Sequence, residues 1–304
     1  MTTIHFDSPL GDTERREKLY AGDFFVYSRS DASESFCAFA ADLIREAFAD
    51  DDPETAQFRL PKEKYIEILS ELKPRFIHHP KSKEYVRDVL AGIGCDLQDT
   101  YFDVPRMRSS TSNDYLTTGI AYAWHPHRDT WYSAPPAQIN VWLPIFPISS
   151  ENTIAFHPAH FDQPVPNDSE KYNYYEWNSK FRAAASSQGA KESRPLPGPR
   201  GEVERDSEVR IVCPAGGMIL FSGDQLHSSV PNTSGRTRFS IDFRVVNTSD
   251  IRAGKAAPTV DANCTGSSIR DFHRACDAAD MDKDIVDLFT DGTESRADLV
   301  YKPQ

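Results

Sequence analysis

The stretch Arg236-Thr237-Arg238-Phe239-Ser240-Ile241-Asp242-Phe243-Arg244-Val245 alternates polar and apolar residues through most of its length. Successive side chains of a strand point to opposite faces. Phe239, Ile241, Phe243 and Val245 therefore share one face; Arg236, Arg238, Ser240, Asp242 and Arg244 share the other. An exposed edge strand with solvated arginines would satisfy this pattern. So would a strand whose apolar face packs on a helical layer while its polar face points into a barrel. Inward polar groups need partners, and an arginine beside a serine is a ready receiver for a carboxylate. The inward reading is favoured because His227 lies just upstream.

Working outward, Asp99–Arg108, Thr117–Trp124, Gln138–Ile145, Thr153–Phe156, Val209–Cys213 and Gly217–Phe221 also read as strands. Pro, Asn, Ser and Gly turns separate them, and Pro105 marks a bulge or an edge. Many short strands with such turns predict a sandwich or barrel. Upstream, Gly22–Tyr27 reads as a short strand, and Asp31 to Glu34 as a capping box. Phe36, Phe39, Ala40, Leu43, Ile44 and Ala47 follow at helical spacing. Two more helices are predicted over Lys62–Leu72, closed by Lys73-Pro74, and Ser82–Ala91, closed by Gly92 and Gly94. Ser267–Phe289 reads as a helix with the stripe Ile269, Phe272, Cys276 and Ala279. A long interruption over about 162–206 carries Tyr172, Tyr174, Tyr175 and Trp177. Such an insertion is a lid or a helix packed on the barrel. The expected organisation is a single domain over 1–304, with helical support at 1–98, a β core at 99–247 and a helical cap at 248–304.

The totals limit the partners. The chain of 304 residues carries a net charge of −12. Nucleic acid and anionic membrane surfaces need a basic face, so neither is an expected partner. The five cysteines are scattered without a Cys-x-x-Cys pair, which disfavours a disulfide framework or a zinc–thiolate site. No basic-then-apolar leader and no apolar run of spanning length are present. The expectation is a cytoplasmic protein acting on a small molecule. The oligomeric state stays open, with a homodimer among the options.

The metal-ligating candidates sit in Trp124-His125-Pro126-His127-Arg128-Asp129-Thr130-Trp131 and in Gly223-Asp224-Gln225-Leu226-His227. Side chains at i and i+2 of a strand share a face, so His127 and Asp129 can bind one ion. His227 must come from another strand closing beside the first. Two imidazoles and one carboxylate make the donor set of a non-haem Fe(II) facial triad, which leaves positions open for a keto acid and O₂. A His-x-Asp pair alone is a weak signal. His125 has the wrong spacing and reads as structural, and His157 and His160 read as turn or packing residues. Trp131 is either a wall of a substrate pocket or a core aromatic. Arg244 is either a salt-bridge residue or a substrate anchor.

The ordered series resembles the Fe(II)- and 2-oxoglutarate-dependent oxygenases, in their phytanoyl-CoA hydroxylase-like branch. The matching pieces are His125-Pro126-His127-Arg128-Asp129, Glu151-Asn152-Thr153-Ile154, Pro158-Ala159-His160, Gly217-Met218-Ile219-Leu220-Phe221, His227 and Arg238-Phe239-Ser240. They cover about residues 100 to 247. The usual Asn-Gly turn is Asn152-Thr153 here, and the Pro-Gly-Ser-His-like segment is Pro158-Ala159-His160. The resemblance implies a double-stranded β-helix, the jelly-roll or cupin-like fold, mainly β with flanking helices. It implies His127, Asp129 and His227 as iron ligands and Arg238, supported by Ser240, as partner of the distal carboxylate of 2-oxoglutarate. Arg108 occupies the place of another co-substrate contact, and Asn140 would face the pocket. The implied reaction hydroxylates a C–H bond, consuming O₂ and releasing succinate and CO₂. Desaturation, epimerisation or ring formation would share its first half. Asp129 disfavours halogenation, since family halogenases lack that carboxylate. A jelly-roll that binds or senses a ligand without turnover is the alternative of another class.

Overall fold

The computed structural model describes residues 1–181, 196–205 and 207–290. Parts of the predicted insertion and the end of the predicted C-terminal cap lie outside these residues. Strands and helices run in the order β1 (Ile4–Phe6), α1 (Asp12–Tyr20), β2 (Phe24–Tyr27), α2 (Asp31–Phe48), α3 (Lys62–His78) and α4 (Pro80–Gly92). The core strands follow: β3 (Thr100–Phe102), β4 (Arg106–Ser110), β5 (Ile139–Pro144) and β6 (Ile154–Phe156). After α5 (Tyr174–Lys180) come β7 (Val209–Arg210), β8 (Met218–Ser222), β9 (His227–Ser229) and β10 (Arg238–Asn247). The chain continues through α6 (Thr248–Arg252), β11 (His273–Arg274) and α7 (Lys283–Leu288).

The strands form two sheets. The larger has the order β1-β2-β8-β5-β10-β3-β11, with β4 also paired to β10, and the smaller has the order β7-β6-β9. All neighbours pair antiparallel except β1 and β2. The large sheet is therefore mixed and open, and the jelly-roll is built from its central strands facing the small sheet. β10 is its axis: Ser240 lies opposite Arg108 of β4 and Pro144 of β5, and Arg244 lies opposite Asn140.

Alternation in β10 explains the layers. Phe239, Ile241 and Phe243 are wholly buried in one apolar cluster with Phe36, Ile44, Phe48, Leu69 and Phe76 of the helices. The rings of Phe48 and Phe239 meet edge to face at 6.1 Å. On the opposite face of the sheet, Phe24, Trp142, Ile219 and Phe221 pack with Ile154 and Phe156 of the small sheet. Burying these aromatic and branched side chains is the main force holding the layers together, at about 1.5–3 kcal/mol each.

Several local expectations need correction. The cap of α2 is Ser30, which exchanges hydrogen bonds with Ser33; Asp31 is already helical. α3 runs through Pro74 to His78 because Leu69, Leu72 and Phe76 bury on the same side of it. Proline forfeits one backbone donor there, and the buried face outweighs that loss. The predicted strand over Thr117–Trp124 is a loop. Gly119 takes φ +62°, and the Ala123 N–H donates to the Thr117 carbonyl at 2.9 Å, which closes the segment on itself. Asp99–Arg108 splits at Pro105 into β3 and β4. Ser267–Phe289 is not one helix: Ile269 and Phe272 are buried from a loop, and β11 adds to the edge of β3 before α7 begins. Among the described residues no helix is long and apolar enough to cross a membrane.

Candidate metal centre

His127 and His227 form an antiparallel bridge, each backbone N–H donating to the other's carbonyl at 2.9 Å. This bridge joins the metal motif to β9 at the edge of the small sheet. The Asp129 N–H donates to the Gly223 carbonyl at 2.9 Å, which ties the third residue to the turn before β9. The outcome is one compact group. Asp129 Oδ1 lies 3.7 Å from His127 Nε2 and 3.9 Å from His227 Nε2. Among the described residues these three are the group whose donor atoms converge within 4.8 Å.

The hydrogen bonds around the ligands select the form that binds a metal. His127 Nδ1 sits 2.9 Å from the His125 carbonyl, and His227 Nδ1 sits 2.9 Å from the Gln225 carbonyl. A carbonyl only accepts, so each ring carries its proton on Nδ1 and offers the Nε2 lone pair when neutral. Burial, and then the neighbouring His227, holds the His127 imidazole well below its ordinary range, so it stays neutral. For Asp129 burial works the other way and would raise its carboxyl. Arg244, then the two imidazoles and the Asn140 amide, outweigh burial and hold it below its ordinary range. The group thus presents two imidazole Nε2 atoms and one carboxylate, with no thiolate. The separations exceed those around a bound ion, where cis donors at ordinary bond lengths stand about 3 Å apart. What fits a divalent ion is the donor set and its convergence.

A second polar group lies on the inward face of β10. Arg238 is buried on the inward face of β10, 5.4 Å above the Trp142 ring. One guanidinium nitrogen donates to the Thr153 carbonyl at 3.3 Å, while Nε has no protein partner among the described residues. Ser240, two residues on, is also buried with its hydroxyl unpartnered. An orphaned guanidinium donor and an orphaned hydroxyl on one face are costly unless an anion arrives. Burial pushes the Arg238 group down to about 10, so it remains a cation at neutral pH.

The other candidates fall into different places. Arg108 faces inward, but Asp242 grips it through two contacts at 2.6 and 3.3 Å. Burial opposes ionisation of Asp242, yet Arg108 and then Arg244 hold its carboxyl down to about 2. Arg244 bonds Asp103 at 3.2 Å and approaches Asp129 at 3.7 Å, which makes it part of an ion-pair chain. Asn140 donates to Asp129 Oδ2 at 2.8 Å and so touches the carboxylate of the metal group. Trp131 is fully buried with Val165 and Leu226, its indole N–H on Asp261 at 2.7 Å, which is the core-aromatic placement. His125 reaches the Pro197 carbonyl at 2.8 Å, and His157 the Ser228 hydroxyl at 3.1 Å. Tyr172, Tyr174 and Tyr175 are buried together around the start of α5, packed against Tyr132 and Cys264.

Sequence reasoning passed over three residues that the fold brings here. Gln138 donates to Asp129 Oδ2 at 2.8 Å. Trp142 lies under Arg238, and only the alternation of β5 beyond Asn140 signalled it. Lys73 of α3 donates to the Ile120 carbonyl and senses Arg108, Asp242 and Arg238. Burial, and then Arg108, pushes its amine down to about 7.

A family model described as phytanoyl-CoA dioxygenase (PhyH) matches residues 20–240. The chain belongs to this family. It is an iron- and 2-oxoglutarate-dependent oxygenase, and the donor set and orphaned cation described above fit both groups. A search of curated proteins finds no match. Among solved structures, EvdO2 from Micromonospora carbonacea var. aurantiaca complexed with 2-oxoglutarate is similar, at 16% identity and TM-score 0.45, over 78% of this chain and 91% of that one. The epimerase SnoN in complex with Fe3+, alpha ketoglutarate and nogalamycin RO gives 13% identity and TM-score 0.41, over 78% and 85%. The carbocyclase SnoK from nogalamycin biosynthesis gives 13% identity and TM-score 0.38, over 79% and 85%.

Proposed function

We propose that the protein hydroxylates a C–H bond of a small organic molecule, with His127, Asp129 and His227 holding Fe(II) and Arg238 with Ser240 receiving the distal carboxylate of 2-oxoglutarate. The overall change is R–H + 2-oxoglutarate + O₂ → R–OH + succinate + CO₂. Bound iron would supply O₂ activation coupled to decarboxylation of the keto acid. The protein's own part is placement. The two Nδ1–carbonyl bonds fix both imidazoles with Nε2 lone pairs forward. Asp129 contributes the single negative charge. Arg238, backed by the Trp142 face, supplies a fixed cation deep in the barrel. Trp124 stacks on the His127 ring at 4.9 Å and Tyr132 meets it edge-on at 5.5 Å, so one side of the ligand is walled by aromatics.

The observation that carries this reading is the pairing of a convergent His-Asp-His group with an orphaned buried Arg238 Nε and Ser240 hydroxyl. A carboxylate at Asp129 leaves no place for a halide ligand and supports hydroxylation over halogenation. Asp103, Asp242, Arg106, Arg108 and Arg244 hold one another in ion pairs across β4 and β10. The expected site of action is the cytoplasm. The reading is tested by Fe(II)-dependent succinate formation from 2-oxoglutarate and by metal content. Asp129→Ala is expected to lose bound iron; unchanged iron stoichiometry in that variant would falsify the ligand assignment.

A further inference from the structure

We propose that Gln138 and Asn140 form a clamp that withholds one oxygen of Asp129 from the metal, with Gln138 as its positioning residue. The inference rests on His127, Asp129 and His227 being the metal ligands. Asp129 Oδ2 accepts two amide N–H groups, from Gln138 and from Asn140, each at 2.8 Å. Oδ1 is the oxygen that faces both histidine Nε2 atoms. The two oxygens of the same carboxylate are thus given different tasks.

The amide orientations are forced. The Gln138 amide nitrogen has two N–H groups; the second donates to Asn140 Oδ1 at 2.9 Å. Asn140 must then turn its own nitrogen toward Asp129. Asp129, Gln138 and Asn140 are all buried and make a closed ring of three hydrogen bonds. Arg244 Nε stands 3.7 Å from Oδ2 and adds charge on the same side.

The backbone is shaped to hold this ring. Gly223 donates its N–H to the Gln138 carbonyl at 2.8 Å and accepts the Asp129 N–H at 2.9 Å. A Cβ on Gly223 would stand 3.2 Å from Gln138 Nε2 and 3.3 Å from Gln138 Cβ. Its backbone is not in the left-handed region, so what glycine provides here is space for Gln138. A carboxylate with both oxygens free can chelate through both and fill another coordination position. With both lone-pair directions of Oδ2 occupied, Asp129 offers one oxygen, and the positions needed for keto acid and O₂ stay open.

The test uses Co(II) alone as probe on the full chain, without co-substrate, following visible absorption and affinity. Gln138→Leu is expected to raise the Co(II) Kd about 10–100-fold and to alter the ligand-field spectrum as Asp129 gains freedom to chelate. Gly223→Ala keeps Gln138 but presses on its amide, and is expected to move both readouts in the same direction by less. It also keeps the proposal testable if the leucine variant does not fold. Gln57→Leu removes a buried amide that bonds Ser112 and Thr237 and none of the three ligands, and is expected to lower stability without touching either readout. Failure of the parent chain to bind Co(II), or unchanged binding in Asp129→Ala, overturns the ligand reading. Loss of binding in Asp129→Ala with parental affinity and spectrum in both Gln138→Leu and Gly223→Ala overturns the clamp alone.

Discussion

Arg128 stands between two residues of the metal group and points the other way, into the protein. It is fully buried. Its Nε meets Asp261 at 3.1 Å, and its two terminal nitrogens donate to the carbonyls of Phe161, His160, Gln163 and Asp224. A methionine at 128 would keep most of the volume and remove every donor. Asp261 would retain the Trp131 indole and the Val165 N–H, but not a countercharge. Breaking a buried pair from one side costs about 3–5 kcal/mol. Each abandoned carbonyl adds to that, less than additively, at roughly 1–3 kcal/mol taken singly. Arg128→Met is therefore expected to lose about 5 kcal/mol or more, a large part of the 5–15 kcal/mol typical of a folded domain. Urea unfolding followed by circular dichroism reads the free energy, and a thermal melt should fall on the order of 10 °C. A second variant sharpens the cause. Asp261→Asn alone should also destabilise, while Arg128→Met with Asp261→Asn should cost clearly less than the sum, with a coupling of about 1–3 kcal/mol. Strict additivity, or a single-variant loss within about 1 kcal/mol of zero, would refute the reasoning.

Other expectations follow from the same structure. Arg238→Met should weaken 2-oxoglutarate binding by roughly 10–100-fold through loss of a charge-assisted contact worth about 1.5–3 kcal/mol, as read by calorimetry on the metal-loaded protein; parental affinity would count against the anchor. Phe239→Ala should cost about 3–5 kcal/mol by opening a cavity between β10 and α2, measured by chemical denaturation. Lys73 gives a pH signature. Its amine is pushed down to about 7 in the folded chain from an ordinary value of 10.5, so the unfolded chain binds more protons between those limits. Its contribution to stability therefore rises with pH across that window, and below about 7 the full cost of burying the charge is present. Lys73→Met should flatten that rise in a series of urea midpoints; an unchanged slope would show that the amine is not held in a desolvated place.

The β core was legible because β10 alternates so regularly. Its apolar side chains found the helices, and its polar ones found the barrel interior, as Phe239 and Arg238 illustrate. The metal group was legible from its i, i+2 spacing, although not on the expected strand: His127 makes only an isolated bridge, Arg128 is extended at φ −108°, ψ 145°, and Asp129 opens a 3-10 turn. What supports that group was not legible. Gln138 and Asn140 are ordinary amides in sequence, and only the return of β5 past Asp129 gives them a common acceptor. Lys73 comes from a helix outside the jelly-roll, and its neighbourhood depends on how α3 lies against β4. Pro74 pointed to a helix end, yet Phe76 beyond it had an apolar place to fill. In Ser267–Phe289 the spacing of Ile269 and Phe272 suits a helix, but a loop with Ala278 at φ +61° buries them equally well. Short-range periodicity cannot separate those outcomes, because both satisfy the same burial.

The reciprocal backbone bridge between His127 and His227 has a consequence for synthesis in the cell. Its two halves are far apart in the chain, and pairings of such separation close late in folding. Until β9 has emerged and docked, a nascent chain holds only two of the three converging residues, His127 and Asp129. Copper and zinc outcompete iron for most nitrogen and oxygen sites once a full donor set exists. Late closure therefore shortens the period in which a partly folded chain offers that set to the wrong ion. Metal choice then falls to whichever ion is available when the native strands meet.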